Sequence, residues 1–337
     1  MTTEYETYEL GDVPLLSGDV LRGAWLTYKT HGQLSPSGDN VVLLPSFYTG
    51  THKRTEGFFG PGRAIDPDRH FIICTDLIGN GLSISPSNSL HQLGPDFPLV
   101  QMWDNVACQH HLLTEKLRVE QIALVAGWSM AGCQAYQWAA QYPDMVSAIL
   151  PFCASAKTSP HNFVFLEGVK AALCADGSWN GGHYTTQPVA GLGAFGRVYA
   201  GWAFSQTFFR EGLYRKLGFE TVEDLLKDWE VDHATGWDAN NLLAKLATWQ
   251  AGDISAGPLY NGDLTAALNA IKARAILMPC TQDLYFPPED NAIEAEHMPS
   301  ARFRPYASPW GHCAANPGND AGFEAQLETH TRDLMGI

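Results

Sequence analysis

The sequence predicts an α/β fold with a mostly parallel β-sheet flanked by helices and interrupted in the middle of the chain by a helical insertion. Three observations lead there. Short β-rich runs recur that are too apolar for strands with one wet face. Helix-like segments alternate with those runs, the pattern of parallel strands joined by right-handed crossovers. Between Lys157 and Leu268 the strand rhythm stops, and it resumes afterwards.

Taken in order, Val20–Thr30 (VLRGAWLTYKT) reads as an early strand, followed by Asn40–Phe47, His70–Leu77, Gln121–Gly127 and Val146–Ala154. Leu99–Lys116 is predicted helical, with Val100, Trp103 and Ala107 on one stripe, and a second helix covers Met130–Tyr142. The middle crowds Trp, Phe, Tyr, Gly and Leu, with a helix-like piece at Thr221–Glu230. Strands return at Ala273–Cys280 and Ala301–Ser308, and a final helix over Ala321–Met335 carries Phe323, Leu327 and Leu334 on one face. The expected organisation is a core over residues 1–156, a helical insertion over 157–268 and the rest of the core over 269–337.

Composition narrows the function classes. Apolar residues make up 45% and charged residues 17% of 337, which suits a packed globular chain and argues against disorder. The net charge is −15 with no polybasic run, so neither a nucleic acid nor an anionic membrane is an expected partner. No run approaches the ~18 apolar residues of a spanning helix. The opening MTTEYETYELGDVP lacks the basic start and apolar core of a secretory signal. Cys74, Cys108, Cys133, Cys153, Cys174, Cys280 and Cys313 are odd in number and form no C-x-x-C pair. Reduced thiols in a cytoplasmic protein are the expectation, with no metal ligated.

The chemistry concentrates in Gly127-Trp128-Ser129-Met130-Ala131-Gly132, where a strand runs straight into a helix. A serine hydroxyl needs a base within reach and donors for the oxyanion it generates. A strand–turn–helix elbow exposes the hydroxyl and puts the next N–H at a helix N-terminus, where negative charge is favoured. Ala131 replaces the second glycine of G-x-S-x-G, and small Gly132 and Ala135 let the helix approach the sheet.

The partners of such a serine follow in the order acid, then histidine, each beyond a late strand. Asp283 follows Ala273–Cys280, with Glu289 and Asp290 as nearby rivals, and His312 follows Ala301–Ser308. His312 would act as the base, and Asp283 would fix its tautomer. A second oxyanion donor is expected from Leu44–Gly50, through the N–H of Tyr48 or Phe47 beside that of Met130.

Two other features carry less. Gly191-Leu192-Gly193-Ala194-Phe195-Gly196 spells a dinucleotide fingerprint, yet no strand precedes it, so closely packed or flexible backbone is the expected reading. His110 and His111 have no acidic companions, which argues against a metal there. No cofactor is expected.

With these residues placed, the sequence resembles the homoserine O-acetyltransferase family of α/β-hydrolases over nearly its whole length. Leu26–Gly32 is similar to that family's "Y-x-T-x-G" strand, Phe47-Tyr48-Thr49-Gly50 to its "A-L-T-G" loop, and Gly94–Pro98 to its "DFP" turn. The elbow parallels "GGSMGG", Trp237-Asp238-Ala239-Asn240 parallels "FDAN", Asp283–Pro288 parallels "D-x-x-F-P-P", and Gly311-His312 parallels "GH". The resemblance implies Ser129, Asp283 and His312 as a triad, Met130 and Tyr48 as oxyanion donors, a helical lid and a homodimer.

Two departures bear on the substrate. The family's aspartate after the histidine is Cys313 here, and an ungapped alignment puts Phe204 where the family has a substrate-facing arginine. A shifted alignment leaves Arg197 or Arg210 for that role. A zwitterionic acceptor buried without charged partners is costly. The expected activity is therefore a serine esterase for small acyl esters, acetates of short apolar alcohols foremost. Transfer to homoserine or another small alcohol is the alternative. Phe47, Trp128, Phe204 and Cys313 are expected to line the pocket.

Overall fold

The structure is a computed structural model that describes residues 4–337. The first half of the chain contains β1 (Glu6–Pro14), β2 (Val20–His31), β3 (Val41–Pro45), α1 (His52–Thr55), β4 (Phe71–Thr75), α2 (Met102–His111), β5 (Leu124–Trp128), α3 (Met130–Gln141) and β6 (Ala148–Phe152). Five helices follow without a strand: α4 (Pro160–Cys174), α5 (Val189–Ala203), α6 (Gln206–Arg210), α7 (Val222–Gly236) and α8 (Ala239–Gln250). Then come α9 (Leu264–Ala270), β7 (Arg274–Leu277), α10 (Pro288–His297), β8 (Ala301–Phe303) and α11 (Ala321–Met335).

One eight-stranded sheet runs in the order β1-β2-β4-β3-β5-β6-β7-β8. Only β1 with β2 and β2 with β4 pair antiparallel; every later pairing is parallel. Side chains on a strand alternate between its two faces. Val42, Leu44, Leu124, Ala126 and Leu150 accordingly enter one hydrophobic core, while Val41, Leu43, Val125 and Ile149 enter the other. The continuous apolar runs thus reflect two covered faces.

The structure differs from the sequence reading at two elements. The acidic N-terminal stretch forms the edge strand β1, largely exposed and irregular at Gly11. An edge strand with Glu6 and Glu9 on it lacks the apolar alternation that would reveal it. In α2 the buried side is Met102, Asn105, Val106 and Gln109, whereas Trp103 and Ala107 are only half-buried. The reason is polar: Asn105 Oδ1 accepts the Ile78 N–H (3.0 Å), and Gln109 links Trp138 Nε1 (2.8 Å) to Gln134 (2.7 Å). Hydropathy cannot register a helix face buried through satisfied amides.

The fingerprint-like glycines lie inside α5. A Cβ on Gly196 would stand 2.4 Å from the Trp229 carbonyl, so close helix packing accounts for that small residue.

Candidate active site

β5 ends at Trp128 and α3 begins at Met130, leaving Ser129 alone on the turn with φ 59° and ψ −130°. A non-glycine residue rarely occupies that region, and such strain is held only where the surroundings enforce it. The Ser129 N–H donates to Phe152 O (3.1 Å), and its carbonyl starts the helix by accepting from Cys133 (3.0 Å). A Cβ on Gly127 would lie 2.5 Å from that of Ala131, and one on Gly132 2.5 Å from that of Ala154. Ala131 is therefore tolerated because Gly127 beneath it has no side chain. Met130 opens α3, so its N–H has no carbonyl of the helix to bind.

Asp283 and His312 lie past the ends of β7 and β8, on the same sheet edge as Ser129. His312 Nδ1 and Asp283 Oδ2 stand 2.7 Å apart with both side chains buried. The other Asp283 oxygen accepts the Tyr285 N–H (2.8 Å) and the Phe286 N–H (3.2 Å). Those bonds orient the carboxylate. Tyr285 packs edge-on to the imidazole at 4.6 Å, and the Trp128 ring lies 5.2 Å away on another side. Ser129 and His312 line one cavity of about 300 Å³.

The loop after β3 borders the same cavity through Phe47 and Tyr48. Three successive carbonyls are engaged: Ser46 O accepts from Gln134 Nε2 (2.9 Å), Phe47 O from Gly50 N–H (3.0 Å) and Tyr48 O from Lys245 Nζ (2.5 Å). The Tyr48 N–H makes no hydrogen bond among the described residues. Gln134 also reaches Met130 O (3.2 Å), tying this loop to the elbow.

The four residues expected at the pocket, Phe47, Trp128, Phe204 and Cys313, all line the cavity. Phe204 is buried and stacks on Phe208 at 4.1 Å. Burial pushes the Cys313 thiol up to about 12, so it stays protonated at neutral pH and packs rather than reacts. Trp128 touches Phe47 (4.8 Å) and His312 (5.2 Å), bridging the loop and the base. Its Nε1 has no partner among the described residues.

The wall is more mixed than the sequence implied, since Arg54, Asp228, Asp232 and Asn316 line it too. Arg54 donates to Asn316 Oδ1 (2.5 Å), with its guanidinium 5.1 Å from the Phe47 ring. Arg197, one candidate for the family's arginine, is paired instead with Glu223 (2.7 Å) and Glu230 (2.9 Å). Arg210 does not line the cavity. No local motif marks Arg54, Gln134 or Lys245, because each matters through a contact distant in sequence.

The cavity thus brings a serine hydroxyl, a carboxylate-paired imidazole and the unbonded Tyr48 N–H to one place. A family model described as the alpha/beta hydrolase fold matches residues 39–314. An ethyl acetate hydrolase of Pseudomonas veronii is 36% identical over 98% of this chain and 95% of its own. A homoserine O-acetyltransferase of Trichormus variabilis is 30% identical over 89% of this chain and 86% of its own. The solved acetyl esterase MekB aligns with a TM-score of 0.95 at 36% identity, covering 99% of this chain and 97% of that one.

Proposed function

The chain belongs to the alpha/beta hydrolase fold family and is an acetate-ester hydrolase; from that premise we propose that Ser129, Asp283 and His312 carry the reaction through an acyl-enzyme. The observation behind this assignment is the 2.7 Å Asp283–His312 pair, whose imidazole lines the same cavity as the strained Ser129.

His312 Nε2 takes the Ser129 proton as Oγ attacks the ester carbonyl. Asp283, on Nδ1, holds the imidazole in the tautomer that leaves Nε2 free and stabilises the imidazolium. The N–H groups of Met130 and Tyr48 donate to the developing oxyanion, and the positive end of α3 favours it further. Collapse breaks the ester bond, and the imidazolium gives its proton to the leaving alcohol. Water then enters, loses a proton to His312 and attacks the acyl carbon. The acid is released and the serine re-formed.

Phe204 and Cys313 give the alcohol side its apolar surface, which suits short alcohols. The helices of the 157–268 insertion act as the lid over that side. The seven thiols are unpaired, which suits a cytoplasmic setting, and no helix among the described residues is long and apolar enough to cross a membrane. Light scattering in solution tests the homodimer that the family resemblance implies.

The decisive assay incubates the protein with ethyl acetate, with and without homoserine. Free acetate should form at the same rate in both. O-Acetylhomoserine appearing at the expense of acetate would sink the hydrolase reading in favour of transfer.

A further inference from the structure

Lys245 lies on α8, and its side chain is fully buried. An ammonium without an acidic partner is expensive to bury, and an apolar side chain there would cost the fold less. No carboxylate forms an ion pair with it among the described residues. Asp76 faces it from beyond β4, but that carboxylate is taken by the His52 ring (2.7 Å), the His52 N–H (2.8 Å), Thr27 (2.9 Å) and Asn80 (3.0 Å). Burial accordingly draws the amine down to about 7. Its one hydrogen bond is the 2.5 Å contact to Tyr48 O, and the Trp237 ring lies 4.0 Å from Nζ.

The sole hydrogen-bond acceptor of the amine among the described residues is the loop at the cavity. Tyr48 is tied to α8 twice, since its hydroxyl donates to Leu242 O (2.9 Å). Gln134 and Gly50 hold the two preceding carbonyls, and Lys245 holds the one that follows the Tyr48 N–H in the chain. We propose that Lys245 is a positioning residue for the oxyanion donor Tyr48, reaching it from the helical insertion. The inference rests on the oxyanion role given to Tyr48 above.

Its test compares wild type with Lys245→Met and Lys245→Gln, using p-nitrophenyl acetate and phenylboronic acid. The boronic acid adds to Ser129 Oγ and presents a tetrahedral anion to the same donors. Circular dichroism and thermal unfolding establish the folded fraction, and the two variants guard against failure of either one to fold. The expected result is kcat lower by about 10- to 100-fold per folded molecule, KM within about twofold, and boronate inhibition weakened in parallel with kcat. A folded variant with kcat and boronate affinity both within twofold of wild type overturns the inference. So does an activity loss that merely tracks the unfolded fraction. Wild-type protein that neither turns over ester nor takes up boronate overturns the esterase reading and this inference together.

Discussion

Two histidine–aspartate pairs lie in this molecule with the same Nδ1···Oδ2 separation of 2.7 Å: His312 with Asp283, and His52 with Asp76. In both, the other carboxylate oxygen accepts backbone N–H donation, to Asp283 from Tyr285 and Phe286, to Asp76 from His52 itself. What separates them is the far side of the imidazole. His312 borders the cavity that Ser129 shares, whereas His52 is fully buried and its Nε2 has no partner among the described residues. A charge-oriented imidazole is therefore not yet a catalytic base. It becomes one where a nucleophile and a substrate can reach its second nitrogen, and otherwise it fastens a loop.

Breaking the catalytic side of this comparison should give the largest effects. Ser129→Ala should lower kcat/KM for ethyl acetate by about 10⁴-fold or more, and Asp283→Asn by about 10²- to 10⁴-fold with the fold retained. Steady-state hydrolysis measures both, and near-normal turnover in Ser129→Ala would remove the serine from the mechanism. His52→Gln sharpens the contrast from the structural side. It should leave kcat within about tenfold of wild type while lowering unfolding stability by about 1–3 kcal/mol, as expected for a disturbed buried hydrogen-bond network. If urea denaturation shows native stability and hydrolysis is lost as in His312→Gln, the distinction between the pairs collapses.

Smaller effects lie in the pocket and in the buried charges. Phe204→Ala removes an aromatic wall, so kcat/KM should shift by about tenfold towards acetates of bulkier alcohols. An ester panel varying the alcohol alone would reveal an unmoved profile if Phe204 faces no substrate. Glu294 and Lys245 are both fully buried and titrate in opposite senses. Burial raises the Glu294 carboxyl from near 4.5 to about 7, so the unfolded chain binds fewer protons between those values and stability falls across that window as pH rises. Lys245 is lowered from near 10.5 to about 7, so the unfolded chain binds more protons above pH 7 and stability rises towards pH 10. Urea midpoints measured across pH should lose the first slope in Glu294→Gln and the second in Lys245→Met. Slopes identical to wild type would show that neither group titrates as described.

Much of this architecture is legible in the residues alone. Strands covered on both faces leave uninterrupted apolar runs, and the elbow demands small residues at Gly127 and Gly132 within one short stretch. The last helix, Ala321–Met335, was readable to the residue because Phe323, Leu327 and Leu334 repeat at helical spacing on its buried side. Local sterics and periodicity write such features into neighbouring positions. The exposed strand β1 and the amide-lined face of α2 escape that logic, since neither buries a periodic apolar set.

Other features exist only in three dimensions. Lys245 meets Tyr48 across 197 positions, Gln134 meets Ser46 across 88, and Arg54 meets Asn316 across 262. Nothing near Lys245 in sequence separates it from a solvated helix lysine. The strand-end placement of Ser129, Asp283 and His312 could be read along the chain because each follows an apolar strand run. Which imidazole shares a cavity with Ser129, and which buried amine bonds the Tyr48 carbonyl, was decided by packing. The energy of a buried polar group depends on the partners that tertiary structure brings to it, not on the residues beside it in sequence.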